Sequence, residues 1–335
     1  DLHLSIRRQR QMCIRDRCSA SPQSRSKPPA PPPVVVVVPP PATGKPITVT
    51  ENKLGAWLWY ASRTGKTHTQ IADELKAIGV KRIFIKISDG RRSCELYPDV
   101  CDASVAALYK ARGIEPWTWS YNYPNGAGTG LTDTQYYAKQ AEGLTQSVKY
   151  GYVGHVLDIE VEFDGKGQPV EDLMVAFRDA RAAAKLAGQA GPTYLMGATT
   201  WGNPKAHAMR VDLIDKYVDF HMPQTYLEEW ANGNVASNFL LEPRKWVDAG
   251  NKEYRDLGAK KPIWHIVSTD RNVITKEQLA AFVDAAGPNT SIWSIPDGSE
   301  VKFSVLEKWK TLDWSKLTFT PTLESEAQNF LVRLF

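Results

Sequence analysis

Cysteine is scarce in this chain, with four in 335 residues, and none form a Cys-x-x-Cys pair. His-x-x-x-His spacing is also missing, so zinc chemistry has no local signature and no metal or cofactor is expected. There is no Gly-x-Ser-x-Gly elbow, which removes the usual acyl hydrolase. No apolar run approaches the roughly 18 residues that a membrane helix needs; Val34–Val38 is a short stretch between prolines. Gly65-Lys66-Thr67 imitates the end of a phosphate loop, but Tyr60 stands where its first glycine belongs. A basic surface is missing too. Of 41 Lys and Arg and 37 Asp and Glu, seven and two fall within residues 1–27, leaving 34 against 35 and a body at −1. Nothing there would neutralise a phosphate backbone, so nucleic acid is not an expected partner.

The beginning of the chain divides by composition. Met12-Cys13-Ile14-Arg15-Asp16 matches the translation of a DNA-library adapter, so residues 1–17 are expected to be a non-native leader that hides any export signal. Residues 18–50 form a Pro-rich segment, with Pro28-Pro29-Ala30-Pro31-Pro32-Pro33 and Pro39-Pro40-Pro41. Fixed φ and missing donors favour an extended polyproline tether. Cys18 opens it, as a lipid-modified cysteine would. The expected location is therefore extracellular or at the cell envelope, with a monomer as the working unit. Cys94 and Cys101 flank a short loop and suit either a disulfide or two free thiols.

From residue 51 to 315 the pattern becomes strand, helix, strand. The strand candidates are 56–60, 82–88, 116–121, 155–161, 194–199, 218–225, 263–268 and 291–295. Between them run amphipathic segments such as Ile71, Leu75 and Ile78 before Gly79, and Leu173, Phe177, Ala180 and Ala184 before Gly188. Eight such units in about 260 residues predict an α/β fold of the (β/α)₈ TIM-barrel type rather than an open sheet. Residues 316–335 would be a C-terminal extension.

The fourth strand carries the chemistry. In His155-Val156-Leu157-Asp158-Ile159-Glu160-Val161-Glu162-Phe163 the apolar residues Leu157, Ile159, Val161 and Phe163 share one face, and Asp158, Glu160 and Glu162 the other. In a barrel that second face points inward and toward the C-terminal rim, where barrel active sites lie. Carboxylates crowded there compete for protons, which leaves an acid beside an ionised neighbour. Glycosidic cleavage needs that division. Alternate residues lie about 6.6 Å apart along a strand, too coarse a measure to separate retention from inversion. Asp158, the deepest, suits pairing with Lys86 or with His265.

Further candidates for the mouth are Trp57, Trp59, Trp119, Tyr121, Trp201, Tyr226 and Trp293, all in or just after candidate strands. Their rings offer flat faces for sugar stacking, or else barrel filling. Lys86, Asp89 and Gln224 are polar candidates for substrate binding, with Met222, Gln224 and Tyr226 on one parity. Asp270 and Asp297 follow strand ends.

Leu157-Asp158-Ile159-Glu160 resembles the Asp-x-Glu strand of family 25 muramidases, which implies Glu160 as acid and Asp158 as its partner. Asp158-x-Glu160-x-Glu162 also resembles the end of the chitinase strand of family 18, which implies Glu162 as acid. The region from Gly55 to Trp314 resembles uncharacterised glycoside-hydrolase-like barrels of bacteria and phages. Its tokens are Ile85-Lys86-Ile87-Ser88-Asp89-Gly90 and Met222-Pro223-Gln224-Thr225-Tyr226. It departs from the muramidases in opening with Gly55-Ala56-Trp57-Leu58-Trp59, and from the chitinases in having His155 at the strand's first acidic position. The resemblance implies a glycoside hydrolase acting on a polysaccharide such as peptidoglycan. A non-catalytic glycan-binding barrel and a metal-dependent phosphodiesterase are the competing readings, since one barrel hosts many chemistries.

Overall fold

The computed structural model describes residues 53–91, 94–191, 193–296, 307–313 and 316–317. The expected leader, the tether, Asp297 and nearly all of the extension lie outside these residues. Among the described residues, eight parallel strands run in chain order: β1 (Gly55–Leu58), β2 (Arg82–Asp89), β3 (Glu115–Tyr121), β4 (Gly154–Asp158), β5 (Leu195–Trp201), β6 (Phe220–Gln224), β7 (Ile266–Ser268) and β8 (Ser291–Trp293). β1 pairs with β2 on one side and with β8 on the other, so the sheet closes. A two-residue antiparallel strand, Glu95–Leu96, joins the outer end of β2. The closed (β/α)₈ barrel anticipated from the repeat is the observed fold.

The helices are α1 (His68–Ala77), α2 (Ala103–Lys110), α3 (Asp133–Lys149), α4 (Gly167–Leu186), α5 (Val211–Ile214), α6 (Leu227–Trp230), α7 (Asn238–Leu241), α8 (Pro243–Asp256), α9 (Lys276–Ala286) and α10 (Glu307–Lys310). Three of them begin with the same local device. Thr67, Thr132 and Thr275 each cap the amide three residues on, where Gln70, Gln135 and Gln278 return a bond to the cap. This reciprocal box satisfies amides that a helix start leaves orphaned. After β5 the layer is thin: a short 3-10 turn, Pro204–His207, and then the single turn of α5.

Inside the barrel, aromatic rings fill the space that β-branched residues often occupy. Trp57, Phe84, Trp117, Trp119, Phe220, Trp264 and Trp293 form one buried cluster with Val156, Met222, Tyr226 and Ile266. Such bulk requires missing side chains opposite. A Cβ on Gly154 would lie 2.1 Å from the Trp117 ring, and one on Gly197 would lie 2.3 Å from Phe220. Close packing of this kind leaves no room for even one methyl. At the bottom, Arg82 bonds Glu115 and Asn289 and lies over the Trp264 ring.

The outward faces of the strands meet the helices through apolar contacts and three buried histidines. Leu157, Ile159 and Phe163 join Phe177 of α4 in one helix-facing cluster. His155 bonds Thr118 Oγ1 at 2.8 Å and Ser120 Oγ at 2.9 Å. His221 bonds Asp215 at 3.0 Å, and His265 bonds Thr225 at 2.8 Å and Asn251 at 2.8 Å. Burial depresses all three imidazoles, His155 and His265 to about 3. Cys94 and Cys101 are free thiols. Cys94 packs in the α3–α4 cluster with its sulfur toward the Gly90 carbonyl, while Cys101 packs against the opposite one, so the bridge does not form.

Candidate active site

β4 ends sooner than its alternating sequence suggests. The Ile159 amide still bonds the Thr199 carbonyl of β5, but Glu160 leaves the strand at φ −116° and ψ −146°. Val161–Phe163 then coils as one 3-10 turn. The expectation of a strand carrying Glu162 on its inner face is therefore corrected. On the β3 side the Asn122 amide, just past β3, takes the Asp158 carbonyl. β3 itself ends at Tyr121, so the ladder stops on that side, while β5 runs on to Trp201.

The break nevertheless gathers the acidic groups. Gln224, at the end of β6, donates from Nε2 to Asp158 Oδ1 at 3.0 Å and to Glu160 Oε1 at 2.8 Å. Asp158 and Glu160 are both buried, at 4% and 3% exposure, so this shared amide replaces water that a carboxylate would otherwise need. From the other side, the Tyr121 hydroxyl donates to Glu162 Oε2 at 2.9 Å. Burial pushes the Tyr121 phenol far up, and the charges of Glu160, Glu162 and Asp158 add to it, so one ring senses all three. Burial also pushes the Glu162 carboxyl above its ordinary range. Glu160 and Asp164 reinforce that rise against its own backbone amide and the Tyr121 bond. Among the described residues no group of three or more His, Cys, Asp or Glu is arranged to hold a metal ion.

Lys86 and Asp89 are brought together by a bulge. β2 and β3 run in register up to Lys86 and Trp119, then slip so that Ser88 faces Ser120 and Asp89 faces Tyr121. The slip returns Asp89 to the inner face, 2.7 Å from the Lys86 ammonium. That ammonium also lies 5.0–5.3 Å from the rings of Tyr60, Trp119 and Trp59. Lys86 thus pairs with Asp89, and His265 is turned to the helix layer, so the partner of Asp158 foreseen in either of them is replaced by Gln224.

The aromatic candidates separate by depth. Trp57 and Trp119 are each only 1% exposed and are bonded through their indoles to Ser291 and to the Leu58 carbonyl. They fill the barrel, a correction to their reading as sugar platforms. Trp59 is half-buried and packs at 5.7 Å from Trp293, which lies 6.4 Å from Tyr226. Tyr121 is half-buried beside Tyr123. Trp201 ends β5 with its indole N–H on Asp164 Oδ1 at 3.0 Å and its ring stacked on His207 at 4.1 Å. Asp270 is half-buried just past β7. Asp164 and His207 were not singled out from the sequence. Asp164 reads there as a turn residue before Gly165, and nothing local marks His207.

The site and fold together define a closed (β/α)₈ barrel with carboxylates at the end of its fourth strand. No protein-family model matches the sequence and no curated protein is detectably similar to it. Among solved structures, the spore cortex-lytic enzyme SleL of Bacillus cereus is similar over 82% of this chain and 76% of its own, with 13% identity and a TM-score of 0.55. A class V chitinase from Nicotiana tobaccum matches 81% of this chain and 99% of its own, at 11% identity and a TM-score of 0.53. SleL of Bacillus megaterium QM B1551 covers 81% and 75%, at 10% and 0.53. At these identities the likeness is one of fold.

Proposed function

We propose that this protein is a glycan-cleaving hydrolase, that its substrate is peptidoglycan or another structural polysaccharide, and that Glu160 delivers the proton to the glycosidic oxygen. The observation that carries the reading is the convergence of Asp158, Glu160 and Glu162 on Gln224 and Tyr121 at the C-terminal rim. Glu160 is the middle member. It shares a donor with Asp158. Glu162 sits one turn further out, tied to Tyr121. A proton donor works best where water is excluded, and that favours the deeper carboxyl. Asp158 and Glu162 then support the oxocarbenium-like centre or the incoming water. Trp59, Trp293 and Tyr226 supply the apolar wall beside it. An extracellular or envelope location belongs to the same proposal, supported by the proline-rich run before the barrel.

The test is turnover on a panel of peptidoglycan, chitin and other glycans, read as new reducing ends. Glu160→Gln should lose about 10²–10⁴-fold in kcat, whereas Glu162→Gln should retain turnover with a displaced acid limb. The opposite ranking would move the donor role to Glu162, and unchanged turnover in both would remove the carboxylate mechanism. Saturable binding without cleavage would mark a glycan-binding barrel; activity lost to a chelator would mark the phosphodiesterase reading.

A further inference from the structure

We infer that His207 is a positioning residue for the reaction proposed above, on which this inference rests: one edge of its ring holds the turn that bears Glu162, and its face holds Trp201. The Glu162 turn is short and has lost the strand ladder, so something must fix it. Asp164, two residues on, is gripped at both oxygens, by Trp201 Nε1 at 3.0 Å and by His207 Nδ1 at 2.8 Å. The Gly165 amide adds a bond to the His207 carbonyl at 3.2 Å. The β4 loop is thereby fastened to the β5 loop at three points, next to the carboxylates.

The same imidazole stacks on Trp201, with centroids 4.1 Å apart and planes at 15°. Trp201 ends β5 in register with Gln224, so its ring stands at the rim beside the residue that joins Asp158 and Glu160. Its indole N–H and its His207-stacked face leave it little freedom to swing. A ring fixed in this way costs less entropy when a sugar stacks on it. His207 therefore serves two tasks through different parts of one side chain, and the parts are separable by substitution.

His207→Asn places an amide nitrogen where Nδ1 stands and removes the ring. His207→Phe keeps a ring and removes the nitrogen. With a glycan that the wild type cleaves, His207→Asn should leave kcat within about twofold and raise KM about fivefold, because stacking but not positioning is lost. His207→Phe should leave KM within about twofold and lower kcat about tenfold, the scale of a slightly misplaced catalytic group. Of the two His207 variants, only the Phe one should shift the acid limb of the pH profile. Asp164→Asn, which keeps an acceptor for Trp201 but alters the His207 contact, should follow the Phe variant. Thermal midpoints accompany each assay. If all three variants change kcat and KM in the same proportion, or change neither, His207 is structural and the inference falls while the hydrolase reading stands. If the wild type cleaves nothing on the panel, both fall.

Discussion

Lowering the pH from 7 toward 4.5 should weaken the folded state through the buried histidines on the helix side of the strands. His155 and His265 have imidazoles held near pKa 3 by burial, against 6.5 in an open chain. Between those values the unfolded chain binds a proton at each site that the folded chain refuses. Stability then falls with pH by about 1.4 kcal/mol per unit for each residue. At pH 4.5, two units below the open-chain value, that amounts to about 3 kcal/mol per histidine and about 5 kcal/mol for the pair. This is a large share of the roughly 5–15 kcal/mol that holds a domain folded. His221 acts in the same direction. Burial alone would raise the Asp215 carboxyl, but His221 and the amides of Lys260 and Lys261 hold it near 2, so its contribution disappears only below the window. Glu162 and Glu228 oppose the loss, because burial raises both and the folded state takes up their protons first as pH falls. The assay is urea denaturation at pH 7, 6, 5 and 4.5 on the wild type, His155→Gln and His265→Gln. Each variant starts less stable but should lose about 1.4 kcal/mol per unit less than the wild type below pH 6.5. Parallel pH dependences for wild type and both variants would refute the burial argument.

Two further outcomes follow from particular contacts. Glu228, fully buried in α6, accepts the amides of Arg271, Val273 and Ile274 at 2.6–2.8 Å. Glu228→Ala orphans three donors at the base of the β7 loop and should cost about 3 kcal/mol or more in urea denaturation, while Glu228→Gln, which keeps an acceptor, should cost less. Trp59→Ala removes a half-buried ring beside Trp293 and should weaken glycan binding about threefold to tenfold in calorimetric titration with a small change in thermal midpoint.

The barrel was legible because its signals are local and repeated. Apolar periodicity changes from two to near four at each unit. The inward parity of Asp158 at the end of β4 was legible for the same reason. Four things were not. The end of β4 coincides with the stop of β3, which the residues 155–163 do not encode. The meeting of Lys86 with Asp89 depends on a bulge, which adds a residue without altering composition. The burial of Trp57 and Trp119 depends on depth along the barrel axis, whereas a strand's periodicity gives only the side on which a residue lies. His207 reaches Asp164 across 43 residues, and no spacing rule connects them.

The early end of β4 bears on how the carboxylates come to act together. On a continued strand, Glu160 and Glu162 would stand about 6.6 Å apart in a straight row, each facing its own part of the barrel mouth. Coiling after Ile159 turns Glu162 to Tyr121, a ring that already senses Asp158 and Glu160, and one cluster replaces a row. The exchange gives up ladder hydrogen bonds at the point where geometry matters most. Tolerances of about half an ångström separate a productive site from a slack one, so the turn must recover its rigidity from side chains. Gln224 supplies it from β6, Tyr121 from β3, and the Asp164–His207–Trp201 contact from β5. Strands on both sides of β4 therefore set the spacing of its acidic residues, and the alternation that first drew attention to them only chooses the face from which they start.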